Sequence, residues 1–281
     1  MDFTIVFALG IIVVVGFFTY IFSQACRRIV NKGFSIAASS LPVVLVLFVF
    51  GLIFNLINLK LAPQTQDPNA PPSLPMAISG IVFVLATVYM QAGSMGFVRD
   101  KIKQGSASLS NFTGAAAKYY VKILLLSLTI ALVIGGYVLL SALAVTVLTQ
   151  RAEYVAMGLA ILIAAIGIYT LILLFFAPYL AICDEKKIKE CLSGSVKVVR
   201  ANILKVVGIS VTLVAIGFVT GILLGIVVGL VTRVIPAGVS QYIFAVISSL
   251  INAFLGLTVT ASFMSFYLGL SSTHSAEAAH S

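Results

Sequence analysis

The stretch PYLAICDEKKIKECLSGSVKVVRANILK, residues 178–205, is the longest polar interruption in a chain that otherwise reads as membrane span. It carries six of the seventeen basic residues and two of the three cysteines, Cys183 and Cys191. On both sides the text is apolar, over 155–182 and 206–231, long enough for a helix to cross about 30 Å of hydrocarbon. The stretch therefore reads as a polar link between two membrane helices, and the rest of the chain repeats that pattern.

Composition agrees with this reading. Of 281 residues, 61% are hydrophobic and only 9% charged, with a mean hydropathy of +1.18. A soluble domain of this length needs far more charge to cover its surface, so lipid must be most of the solvent. The expected fold is all-α: a polytopic integral membrane bundle of about seven transmembrane helices in a single domain, 1–270. The expected spans are 3–23, 41–59, 76–98, 123–148, 155–182, 206–231 and 242–270. The run 3–23 follows Asp2 rather than a basic segment and is long enough to span, so it reads as a retained helix, not a cleavable signal. APQTQDPNAPPSLP, residues 62–75, holds five prolines and reads as an exposed loop. Ser40 is placed to cap the second span, and Pro178 should bend or end the fifth. The tail 271–281 is polar and reads as disordered.

Seven spans put alternate links on opposite sides. One side then holds Arg27, Arg28, Lys32, Arg99, Lys101, Lys103, Lys118, Lys122, Lys186, Lys187, Lys189, Lys197, Arg200 and Lys205. The other holds Lys60, Arg151 and Arg233. The asymmetry assigns the basic side to the cytoplasm, with the amino terminus outside and the carboxyl terminus inside. The net charge of +9 needs no nucleic-acid partner, because these residues lie between spans, where topology explains them.

Two basic segments could do more than set orientation. In residues 99–122, Leu109, Phe112, Ala116, Tyr119 and Ile123 fall on one helical stripe with Lys118 and Lys122 off it. In residues 178–205, Ile188, Leu192, Val199 and Ile203 form a similar stripe with the basic residues away from it, and Asp184 is placed as helix cap. Both read as amphipathic helices at the cytoplasmic interface. Arg99, Lys101, Lys103, Lys186, Lys187, Lys189, Lys197 and Arg200 are the candidate contacts for anionic lipid headgroups or a protein partner. A weak repeat links the two segments, since Phe112-Thr113-Gly114 echoes Leu192-Ser193-Gly194.

The spans hold no Asp, Glu, Lys, Arg or His. This counts against proton-coupled transport, which needs coupling charge inside the membrane. It also leaves any nucleophile without a base, so no enzymatic centre is expected. The polar groups that remain are Asn55, Gln91, Ser94, Tyr169, Thr170, Ser248, Ser249 and Asn252, which mostly suit hydrogen bonds between helices. Gln91 and Asn252 are the first choices to line a polar cavity, if the chain passes a neutral or amphipathic solute. The cysteines lack paired metal-ligand spacing and the two histidines lie in the tail, so neither metal nor cofactor is expected. In the sixth span Gly217, Gly221, Gly225 and Gly229 recur every fourth residue on one helix face. Such a strip lets another helix approach closely, first in this chain or else in a second copy as a homo-oligomer.

YMQAGSMGFVRDKIKQGSASLSNF, residues 89–112, and FAPYLAICDEKKIKECLSGSVKVVRANILK, residues 176–205, resemble two short motifs of a group of prokaryotic polytopic membrane proteins. The group includes YciC-like inner-membrane proteins and the membrane region joined to some glycerophosphodiester phosphodiesterases. The likeness covers about 76–230. It implies a helical protein of the prokaryotic inner membrane without an assigned function, and no catalytic residues carry over, since the phosphodiesterase domain is absent. The reading is a scaffold or accessory subunit that binds lipid or a partner through its basic face; the alternative is a transporter or channel for a neutral or amphipathic solute.

Overall fold

The computed structural model describes residues 23–61, 73–148, 153–235 and 237–278, and every element among them is an α-helix. In chain order these are α1 Ser23–Ala38, α2 Leu41–Leu61, α3 Leu74–Gln104, α4 Leu109–Leu148, α5 Glu153–Leu174, α6 Ala177–Cys183, α7 Ile188–Ala201, α8 Ile203–Val234 and α9 Ala237–Ala278. Six stretches are long and apolar enough to cross a membrane: α2, α3, α4, α5 together with α6, α8 and α9. Their outward surfaces are apolar too, as with Leu128, Leu132 and Leu139 on α4 and Ile161, Leu162 and Ile168 on α5. Such surfaces match lipid and would aggregate in water, so this is a membrane protein. The expected first span lies outside the described residues except for Ser23, which opens α1. At the other end α9 runs to Ala278, beyond the boundary at 270 that polarity suggests.

Contacts divide the chain into two compact units, one from Met1–Ala116 and Leu204–Ser281, the other from Ala117–Ile203. In the first, α9 packs against α1, α2 and α3. Its buried residues include Ala253, Leu257, Ala261 and Met264, matched by Val30 and Ala37 of α1 and Val43 and Val44 of α2. The closest approach is at Gly33. A Cβ there would collide with Ser262 Oγ and lie 2.7 Å from the Thr258 carbonyl oxygen. Phe34 meets Phe254 one position on, with ring centroids 5.9 Å apart. Asn55 of α2 donates to Ser249 Oγ of α9 at 2.7 Å, one of the interhelical hydrogen bonds that the polar groups of the spans suggest. Gly93 and Gly96 of α3 let Phe112 and Ala115 of the first turns of α4 come close. α3 ends at Gly105, whose φ of 79° is the left-handed conformation that closes a helix.

In the second unit α7 packs on α5 and α6. α5 stops at Leu174 and α6 restarts at Ala177, with Pro178 in its first turn, so the expected bend is a break. Proline has no N–H and clashes with the preceding turn, which frees backbone groups here. Ser195 of α7 takes up two of them: its hydroxyl donates to the Leu173 carbonyl at 2.7 Å and accepts the Phe176 N–H at 3.0 Å. Beside it, a Cβ on Gly194 would meet Leu180 Cδ2 at 2.5 Å. Ser195, Phe176 and Leu180 are all buried.

The structure corrects three local expectations. Residues 99–122 do not form a separate interfacial helix: α3 runs on to Gln104 and α4 starts at Leu109 and continues unbroken into the span. Its stripe is buried at Phe112, Ala116, Tyr119 and Ile123, but Leu109 is exposed. Asp184 closes α6 instead of capping the next helix, Glu185 takes a left-handed φ of 54°, and α7 begins only after Lys187. The four residues 184–187 form the link between the two helices, which puts the helix start downstream of the acids. Ser40 precedes α2 as expected, yet its hydroxyl donates back to the Ile36 carbonyl of α1.

Candidate functional site

α7 is amphipathic, and its inner stripe is Cys191, Ser195 and Val199. This is offset from the stripe that hydrophobicity alone suggests, because Ser195 is drawn inward by the helix break. At about 100° per residue, Lys189, Lys197 and Arg200 fall within an arc of about 80° on the opposite side. All three are exposed, as is Lys187 just before the helix. None of the four side chains has a partner among the described residues. The Lys187 N–H donates to the Glu190 carboxylate at 3.3 Å, which fastens the first turn.

The other expected contacts divide by partner. Lys186 pairs with Asp184 at 2.9 Å. Arg99 pairs with Asp100 at 2.7 Å, and Asn111 donates to the same carboxylate at 3.3 Å. Lys101 donates to the Ser39 carbonyl and to Ser40 Oγ, both at 2.7 Å, and so neutralises the carboxyl end of α1. In the second unit Lys122 does the same for α6 through the Ala181 carbonyl at 3.0 Å. Lys118 and Tyr119 both donate to Glu185 Oε1, at 2.5 and 2.6 Å. These basic groups stitch turns together, and Lys103 stays exposed without a partner among the described residues.

A second basic face lies on α1, whose cations the sequence marks only as charge flanking a span. Cys26, Val30, Gly33, Ile36 and Ala37 are buried, while Arg27, Arg28, Asn31, Lys32 and Ser35 are exposed. The available signal was three basic residues and no acid over sixteen, with apolar residues at helical spacing.

Burial pushes the Cys191 thiol up from its ordinary value; Lys122 and Lys186 pull it down, and Asp184 and Glu190 push it further up. Its Sγ donates to the Lys186 carbonyl at 3.3 Å. Burial likewise raises Cys26, against a pull from Lys205. Protonated thiols are poor nucleophiles and poor metal ligands. Gln91 is half-buried on α3 and Asn252 exposed on α9, and no hydrogen bond joins them. The glycine strip of α8 is exposed, and a Cβ at Gly217, Gly221, Gly225 or Gly229 would meet nothing within 4 Å. Among the described residues, then, no helix of this chain packs into that strip. Glycine spacing says how close a helix could come, not whether one arrives.

A family description, Domain of unknown function (DUF7847), matches residues 24–270. The chain belongs to this family. The DUF7847 match opens within α1 and closes within α9, so it takes in both basic helix faces, the break after α5 and Ser195. No curated protein and no solved structure matches the chain.

Proposed function

We propose that this membrane protein is a non-enzymatic scaffold or accessory subunit that holds anionic lipid or a protein partner through a basic cytoplasmic face. The observation that carries the reading is the division of labour on α7. One side is fixed to the break after α5 by Ser195 and Gly194, and the other presents Lys187, Lys189, Lys197 and Arg200, whose side chains pair with no acid among the described residues. A juxtamembrane cation gains ~1 kcal/mol from an anionic leaflet.

Replacing those four residues together by Gln should leave the fold intact and remove most of the enrichment of phosphatidylglycerol over phosphatidylcholine around the purified protein in mixed nanodiscs. Lys186 is left in place because Asp184 holds it. Unchanged enrichment, with an unchanged response to salt, would reduce the α7 face to a topology signal.

The same reading places the protein in the inner membrane of a prokaryote, with the links around α1, α3–α4 and α6–α7 in the cytoplasm. The basic-residue count supports this orientation. In a background without native cysteines, Ser106→Cys in the α3–α4 link should resist an impermeant thiol reagent in intact cells. Tyr154→Cys, at a position 90% exposed at the start of α5, should react. The reverse pattern would invert the protein in the membrane.

A further inference from the structure

We infer that α1 is a second lipid-binding element, whose Arg27, Arg28 and Lys32 take the phosphates of anionic lipid headgroups. The face is distinct from that of α7, and the inference does not depend on α7 binding anything. Three observations carry it.

The first is placement. α1 joins the membrane span α2 through two residues, Ser39 and Ser40, and Lys101 of α3 clamps that turn. A helix tethered so closely to the end of a span sits at headgroup depth.

The second is orientation. An amphipathic helix left to itself turns its apolar side into the lipid. Here that side is taken by the protein: Gly33 is pressed against Thr258 and Ser262, Phe34 against Phe254, and Cys26, Val30 and Ala37 are buried. The outward side is therefore fixed, and it is polar from Arg27 through Ser35 apart from the half-buried Ile29 and Phe34 and the buried Val30 and Gly33.

The third is charge. Arg28 and Lys32 stand four residues apart, neighbours on a helix surface, where like charges repel. Arg27 lies on the same exposed side, about 100° round the helix from Arg28, and α1 has no acid. Asp100, on α3 of the same unit, is occupied by Arg99 and Asn111. Neither arginine nor Lys32 has a partner among the described residues. Such a cluster favours an external anion, and guanidinium groups match phosphate oxygens two at a time. The headgroup layer supplies that anion at the depth where the helix is held.

The test is native mass spectrometry of the full-length protein released from micelles of phosphatidylcholine and phosphatidylglycerol, with the α7 residues unchanged. The wild type should retain phosphatidylglycerol selectively, and Arg27→Gln/Arg28→Gln/Lys32→Gln should lower its apparent affinity by up to about a hundredfold at low salt, at roughly fivefold per cation. Arg27→Lys/Arg28→Lys, which keeps the charge, should keep most of the affinity, and Lys60→Gln should keep all of it. A salt series on the wild type needs no variant, and retention should fall as salt screens the cluster. Retention by the folded triple variant equal to wild type would overturn the inference, as would retention by the wild type that ignores salt. Glycerol phosphate in solution that displaces the lipid at equal concentration would overturn the lipid assignment and leave a free phosphate site.

Discussion

Ser195→Ala is expected to destabilise the protein by about 2–6 kcal/mol, far more than the loss of one hydroxyl on a helix surface. The hydroxyl bridges the Leu173 carbonyl and the Phe176 N–H, both freed where α5 breaks before Pro178. Ser195 is 0% exposed, so water cannot replace it. Each buried group that loses a hydrogen bond costs about 1–3 kcal/mol, and the variant takes one bond from each of two. The control is Ser193→Ala: Ser193 is exposed, its hydroxyl bonds only to the Glu190 carbonyl of its own helix, and surface changes of this kind stay within about 0.5 kcal/mol. Denaturation of the purified protein in detergent gives the stabilities, and amide exchange at Phe176 reports on the break itself. Equal unfolding midpoints with unchanged exchange would show that Ser195 is not what satisfies the break.

The second large effect is expected at Gly33. A Cβ there lies 2.7 Å from the Thr258 carbonyl oxygen and 3.0 Å from the Ser262 N, both backbone atoms of α9 that no rotamer change can remove. Gly33→Ala should therefore cost about 1–3 kcal/mol by overpacking, and Gly33→Leu should separate α1 from α9. Gly221→Leu and Gly225→Leu should leave stability unchanged or slightly raised, because a Cβ there meets nothing within 4 Å among the described residues and leucine is the better helix former by about 1 kcal/mol. Thermal unfolding of the four variants decides the matter. A loss at Gly221 as large as that at Gly33 would mean that the glycine strip of α8 does meet a helix, as its spacing in the sequence suggests.

The contrast between Gly33 and the strip shows where reading the sequence stops. Periodicity singles out Gly217, Gly221, Gly225 and Gly229 because they recur, whereas Gly33 stands alone and gives no pattern. Packing depends on which helices the topology brings together, and α9 is brought to α1 from more than two hundred positions away in the chain. Among the candidate contacts Lys101 is set apart for the same reason, since it ends on the α1 carboxyl end sixty-two positions away, whereas Arg99 and Lys186 pair with Asp100 and Asp184, acids beside them in the sequence.

By itself the sequence determined the helical membrane character and the break before Pro178, but not the ends of α3, α4 and α9, which run on past the apolar stretches. The character and the break follow from composition, run length or the missing proline N–H, all of which are local. It also determined that the basic residues gather in the links. Tertiary structure alone decided that Lys101 and Lys122 are held at helix ends, that Ser195 turns inward to close the break, and that α1 presents a basic face because α9 covers its apolar one. Those outcomes depend on partners distant in the chain, and a buried hydroxyl or a close-packed glycine gains its meaning only from the atoms beside it.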